Sequence, residues 1–285
     1  MNANRLKLLM MGLMVLDHIS YFVPPEWALI FHVITRCVGV FFGYMAVEGF
    51  NYTRNVYRYN GRLYIWAAIM FVGNTLLNHL VNNPAVTVHN NIFFTLALGV
   101  SMLIVTKAML EMPKISLKIV LLISILAILG IGAMFAEGGI VMLPFMLITY
   151  LARKRLVLRN CLYGALALFF LVTSFQWLGD WPTTIEMLPF MLITYLARKR
   201  LVLRNCLYGA LALFFLVTSF QWLGDWPTTI EMLAYNSDFM FITVLPFISL
   251  YNGERGSKAP FFKYLFYGFY PLHLWLIALI ANYVH

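Results

Sequence analysis

The sequence predicts an all-α protein, a polytopic transmembrane helical bundle, and three observations carry that expectation. Of its 285 residues 62% are hydrophobic and only 11% charged, against roughly a quarter charged in soluble domains. Apolar stretches of about 20 residues, the length that crosses a hydrocarbon core, follow one another along the chain. No Ser- or Gly-rich linker or soluble segment interrupts them, so residues 1–285 read as a single membrane domain. Lys and Arg, finally, fall in alternate intervening segments: Arg5 and Lys7; Arg54, Arg58 and Arg62; Lys107, Lys114 and Lys118; Arg153 to Arg159; Arg198 to Arg204; Arg255, Lys258 and Lys263. This is the positive-inside signature, which makes the basic loops and the amino terminus cytoplasmic. The net charge of +9 sits at helix ends, where it anchors topology and meets anionic lipid. The expected partner is therefore the lipid bilayer, with no nucleic acid.

Taken in order, the spans are expected near 8–23, 27–50, 63–81, 91–107, 115–135, 137–151, 160–178, 182–196, 205–223, 235–251 and 262–283. The first carries Asp17 and His18 and lacks a small-residue cleavage site, so it reads as a retained span and not a signal peptide. The second holds Arg36, the one cation among 20 Lys and Arg that falls inside an apolar stretch. The fourth is opened by His89, Asn90 and Asn91, which either cap it or line an entrance. The sixth and eighth are short and carry Leu-Pro-Phe elements at Pro144 and Pro189, so they read as broken or half-membrane segments buried against protein. The last contains Pro271, which frees the carbonyl of Tyr267 and would open the helix toward a substrate channel. Cys37, Cys161 and Cys206 lie in or beside apolar spans, with no disulfide or metal spacing.

Residues 142–186 are repeated without change as 187–231. Natural structural repeats drift apart, so a tandem copy this faithful is recent, or a product of assembly. Each unit is one helical hairpin that begins and ends on the same side, so its insertion leaves downstream sidedness unchanged. About eleven spans follow, nine native and two added.

At a rise of about 1.5 Å per residue, Asp17, His18, Arg36 and His273 each lie about ten residues inside their spans and so reach a common depth near the midplane. Ionisable groups at that depth are costly unless paired or hydrated. A shared wet cavity is the simplest arrangement. Asp17 and His18 diverge by about 100° around a helix, so Asp17 is expected to pair with Arg36 across helices. His18 and His273 are then the groups able to exchange protons near neutral pH. Tyr264, Tyr267 and Tyr270 form a stripe below His273. Glu48, near Arg54, is expected to make an interfacial pair; His32, His79 and His89 are expected to be helix–helix hydrogen-bond partners; and the ARKR turns are expected to anchor topology.

At these residues the chain resembles the TraX family, associated with acetylation of conjugative pilin. The elements that carry the resemblance are Leu16-Asp17-His18-Ile19; Arg36, with Val47-Glu48-Gly49-Phe50 through Thr53-Arg54; Asn91-Ile92-Phe93-Phe94-Thr95-Leu96; Leu250-Tyr251-Asn252-Gly253-Glu254-Arg255-Gly256; and Phe269-Tyr270-Pro271-Leu272-His273-Leu274. In order and spacing they cover nearly the whole chain apart from the extra hairpin, which is no part of the family pattern. The resemblance implies an integral-membrane acyltransferase of the bacterial cytoplasmic membrane, using acetyl-CoA as acyl donor. It makes His18 and His273 the catalytic candidates for proton transfer or acyl carriage, with Asp17 and Arg36 as their organisers. Glu48, Arg54, Asn91 and Tyr270 complete the candidate substrate-binding set, and no metal is implied.

The chemistry fits those residue types. An amine or hydroxyl acceptor loses a proton as it attacks a thioester, and a histidine is suited to take it. The oxyanion needs donors, for which Arg36 or Asn91 would serve. The anionic donor would meet the basic ends, with Arg54, Arg58 and Arg62 the nearest cluster. The acceptor stays open among pilin, polysaccharide and lipid. The alternative reading is a proton-coupled transporter or flippase using the same midplane groups, and a third is a non-catalytic assembly protein in which the charges are structural.

Overall fold

A computed structural model describes residues 1–81, 86–176, 228–229, 240, 243–257 and 259–284. The spans expected at 182–196 and 205–223, residues 235–239 and 241–242 of the span expected at 235–251, nearly all of the second hairpin copy, and Lys258 lie outside the described residues. Those described form helices and turns, with no strand among them: α1 (Ala3–His18), a 3-10 turn (Ser20–Phe22), α2 (Pro25–Tyr52), α3 (Val56–Leu80), α4 (Ile92–Glu111), α5 (Ile115–Phe135), α6 (Gly139–Leu151), α7 (Leu156–Gln176), α8 (Val244–Leu250) and α9 (Pro260–Val284). Five of these, α2 to α5 and the 264–284 part of α9, are long and apolar enough to cross a membrane.

Local sequence explains the ends. Asn2, Asn55 and Asn91 cap α1, α3 and α4, each side chain accepting from a backbone N–H three residues on, which satisfies a donor the helix itself leaves open. Pro25 opens α2 where a missing N–H costs nothing. Pro271 is accommodated inside α9, which stays a single helix across it. The first span departs from expectation. In place of a helix over 8–23, α1 stops at His18 and the chain continues through Ile19 and the 3-10 turn to Pro24. Non-helical backbone at such depth is tolerated where it borders protein or a cavity.

Burial divides the helices into core and rim. In their most apolar windows α4 is 61% buried and α5 only 11%. Ile119, Val120, Leu122, Ile123 and Leu126 of α5 face outward, as a helix facing acyl tails does and a helix facing water does not. α2 is central, packing against α1, α4, α6 and α8. Small residues allow the closest approach: Cβ atoms at Gly39 and Gly43 would lie 3.5 Å from Met142 and 3.4 Å from Met146 of α6, the small-residue packing usual between membrane helices.

α6 is the short segment anticipated from the sequence, 13 residues with Pro144 inside. Its start depends on two glycines: Gly138 has φ +60°, and a Cβ on Gly139 would collide with the carbonyl of Gly132. Because Gly39 and Gly43 meet Met142 and Met146, the first turn of α6 lies level with residues 35–39 of α2, deep in the bundle. At the opposite end, the amino terminus docks on the 250–257 loop. Met1 donates to the Leu250 carbonyl (2.6 Å), Ala3 N–H to the Glu254 carbonyl (2.8 Å), and Asn4 Nδ2 to the Ser257 carbonyl (2.9 Å).

Candidate functional site

The last turn of α1, the middle of α2, the α5–α6 turn and the middle of α9 converge on one partly open cavity of about 120 Å³. Its polar wall is Asp17, His18, Thr35, Arg36, Glu137 and Tyr270; Met14, Val38, Ile92 and Met142 supply apolar surface. By helical rise Arg36 is about 16 Å from the start of α2 and about 24 Å from its end, well inside a membrane core of about 30 Å.

On one side of the cavity Asp17 is the hub. Thr35 Oγ1 donates to its Oδ1 at 2.6 Å, Arg36 Nη2 lies 3.4 Å from the same oxygen, and His32 Nδ1 is 3.6 Å away. Arg36 is steadied by its own helix, Nε donating to the His32 carbonyl at 3.1 Å and Nη2 lying 3.0 Å from His32 Nδ1. His32, Thr35 and Arg36 share a face because three- and four-residue spacings do so on a helix. The Asp17–Arg36 partnership anticipated from the sequence is present, and His32, assigned there only to helix contact, joins it.

Between this wall and α9 stand two histidines. The rings of His18 and His273 meet edge to face with centroids 5.1 Å apart. His18 Nδ1 lies 2.8 Å from the Met14 carbonyl and His273 Nδ1 2.9 Å from the Phe269 carbonyl. A carbonyl can only accept, so in each neutral ring Nδ1 carries the proton and Nε2 holds the lone pair. His273 is 7% exposed, stacks on Phe269, and its buried Nε2 has no partner among the described residues. Each ring thus keeps a basic Nε2 with the tautomer set by the helix backbone, and of the two His18 is the one that lines the cavity.

The far wall was not anticipated. Glu137, at the turn before α6, accepts from Asn90 Nδ2 at 2.8 Å and from the Tyr270 hydroxyl at 2.9 Å, while its backbone carbonyl accepts from Thr95 at 2.8 Å. An acid at the head of a helix too short to cross sits at depth, and that was the signal available in the sequence. The Tyr stripe separates accordingly. Tyr264 is exposed, Tyr267 stacks on Trp66 with centroids 5.7 Å apart, and Tyr270 alone reaches the cavity.

Three of the remaining site expectations change. Glu48 pairs with Arg153 (3.1 and 3.3 Å), not with Arg54, because the turn after α6 returns beside the end of α2. Asn91 does not line the cavity: its Oδ1 caps α4 and its Nδ2 donates to the Ala67 carbonyl at 2.9 Å, fixing α4 to α3. The basic cluster also divides. Arg54 lines an open cleft of about 470 Å³ between the α2–α3 turn, Lys107 and Tyr150, whereas Arg58 and Arg62 do not.

A family model described as TraX protein matches residues 2–220. No curated protein and no solved structure matches the chain. The matched stretch contains Asp17, His18, Arg36 and Glu137, and His273 lies beyond it.

Proposed function

We propose, from the premise that the chain belongs to the TraX family, that it is a membrane acyltransferase moving an acetyl group from acetyl-CoA to an amine or hydroxyl of an envelope or pilin-type acceptor. In this reading it sits in the bacterial cytoplasmic membrane with its amino terminus and basic ends cytoplasmic, and about eleven segments cross or enter the bilayer. One observation carries the chemistry: His18, whose Nε2 lone pair is fixed by a backbone hydrogen bond, lines a cavity with an Asp–Arg pair and meets the ring of His273, held in the same way, edge to face.

His18 takes the proton from the acceptor as its nitrogen or oxygen attacks the thioester carbon, a role worth about 10² to 10⁴ in rate. The new C–N or C–O bond forms, the C–S bond breaks, and the departing thiolate recovers a proton. His273, edge to face with His18, shares the charge of the transient imidazolium. Asp17 holds Arg36, which supplies N–H donors toward the developing oxyanion. The donor's phosphates meet Arg54 and Lys107 in the open cleft, about 25 Å from the cavity along α2 by helical rise, a gap that the donor's arm or a carried acyl group has to span.

The test is acetyl-CoA-dependent release of free thiol by the purified protein in nanodiscs supplied with envelope extract, with mass spectrometry of the extract for one added acetyl group. His18→Ala is expected to lose at least a hundredfold in turnover. Full turnover in both His18→Ala and His273→Ala overturns the assignment. Proton flux driven by a solute gradient in liposomes, with no acyl donor, would instead favour transport.

A further inference from the structure

The two carboxylates of the cavity are not equivalent. Asp17 receives a guanidinium and a hydroxyl, with the His32 ring beside them. Glu137 receives only the neutral donors Asn90 and Tyr270, one on each oxygen, and no ion pair reaches it among the described residues. A carboxylate offers about four acceptor positions, so two remain on Glu137, and it borders the same cavity as His18. Glu137 is half-buried, and at membrane depth a carboxylate without a cation is costly unless something donates to it. Its placement is also built: Gly138 and Gly139 make the tight turn, Asn90 and Tyr270 orient the side chain, and Thr95 holds its backbone.

We propose that Glu137 anchors the nucleophilic head of the acceptor by accepting a hydrogen bond from its N–H or O–H, which sets that head beside His18. The proposal rests on reading the cavity as the acyl-transfer site. The shared chemistry is a hydrogen-bond donor that is also a nucleophile, either an ammonium or amine or a hydroxyl. A cavity of about 120 Å³ admits a head of a few heavy atoms, since a water occupies about 30 Å³. The rest of a larger acceptor stays outside.

The experiment uses the full chain in nanodiscs without any acyl donor, so that its failure is separable from failure of acyl transfer. n-Butylamine and n-butanol serve as probes, and the readout is the rate at which diethyl pyrocarbonate modifies His18, localised by mass spectrometry. His18 Nε2 is the reactive atom because Nδ1 is bonded to the Met14 carbonyl. At least one probe is expected to slow modification of the wild type, and Glu137→Gln, nearly isosteric, to need at least tenfold more of it for the same protection at unchanged melting temperature. Protection by the amine alone identifies a charged head; protection by both identifies hydrogen bonding as sufficient. If Glu137→Gln does not fold, Glu137→Asp takes its place, with a threefold or greater loss expected. Equal protection of wild type and variant, or no protection of the wild type by either probe, overturns the proposal.

Discussion

Two ion pairs, Asp17–Arg36 in the middle of the bundle and Glu48–Arg153 toward the end of α2, use the same chemistry and leave different remainders. Glu48 takes Arg153 through two nitrogens at 3.1 and 3.3 Å, and the guanidinium lies 5.1 Å from the ring of Tyr52. The pair borders neither cavity. Asp17 and Arg36 make longer contacts, 3.4 and 3.5 Å, and open onto a cavity that His18 also lines and in which Glu137 has acceptor capacity to spare. An ion pair within a membrane protein is thus weak evidence for chemistry by itself. What separates the two regions is whether their surroundings leave hydrogen-bonding capacity facing a cavity.

The comparison breaks if the middle region proves purely structural. His18→Ala should lower acyl transfer by about 10² to 10⁴ with little change in melting temperature, since among the described residues His18 makes one hydrogen bond, to its own helix. Glu48→Gln should show the reverse: a lower melting temperature and unaltered turnover per folded molecule. Equal loss of activity in both would erase the distinction.

Arg36→Ala tests the middle region for stability. It strips a half-buried carboxylate of its cation; truncating one partner of a fully buried pair costs about 3–5 kcal/mol. Asp17 and Arg36 are about a quarter exposed, and Thr35 and His32 remain, so about 2–3 kcal/mol is the scaled expectation. The Arg36→Ala, Asp17→Asn double variant should recover part of this, because the orphaned charge is gone. Measured unfolding in mild detergent with sodium dodecyl sulfate reads both. A double variant less stable than Arg36→Ala would show that Asp17 is stabilised by something other than Arg36.

The Glu48–Arg153 pair sharpens the comparison from its other side. A double-mutant cycle over Glu48→Gln and Arg153→Ala should return a coupling of about 1 kcal/mol, above exposed pairs and below buried ones, because Arg153 is 33% exposed and Glu48 10%. The coupling should shrink with salt, as screening of the outer partner requires. A coupling indistinguishable from zero would leave Glu48 free for the substrate role that the family resemblance gave it.

Which parts of this were legible in the sequence follows from the physics each depends on. Apolar length gave the helices, and α5 begins and ends where expected, since a uniformly apolar stretch between a basic flank and an outer turn has no competing structure. The meeting of Asp17 with Arg36 and of His18 with His273 followed from depth, a one-dimensional quantity that sequence carries. Partners that depend on rotation or on a returning turn did not follow. Glu48 was assigned to the nearby Arg54 because Arg153, 105 residues away, is brought back only by packing of α6 on α2. Asn91 stayed open between capping α4 and serving substrate because both call for the same amide, and only the three-dimensional neighbourhood of Ala67 separates them. Glu137, the first residue of the span expected at 137–151, was not singled out, although the shortness of that span implied that its start lies at depth.

The smallest effect expected is from the largest change. Deleting residues 142–186 or 187–231 yields one and the same chain, because the two 45-residue units are identical, and the Glu137-Gly138-Gly139 turn that precedes the first unit survives either way. Both regions compared above draw on that first unit: Met142 lines the cavity, Met146 packs against Gly43, and Arg153 holds Glu48. The single-hairpin protein can rebuild each of those contacts from the copy it keeps, and by the proposed topology the hairpin starts and ends on the same side of the membrane. Turnover, butylamine or butanol protection of His18, and the Glu48–Arg153 coupling should therefore all stay within about twofold of the full-length chain, since about 0.4 kcal/mol at most is at stake by the relation of free energy to ratio. Loss of His18 protection with the coupling retained would mean that the second copy contributes to the middle region alone, and the two regions would then differ in the hairpin they are built from as well as in what they leave unfilled.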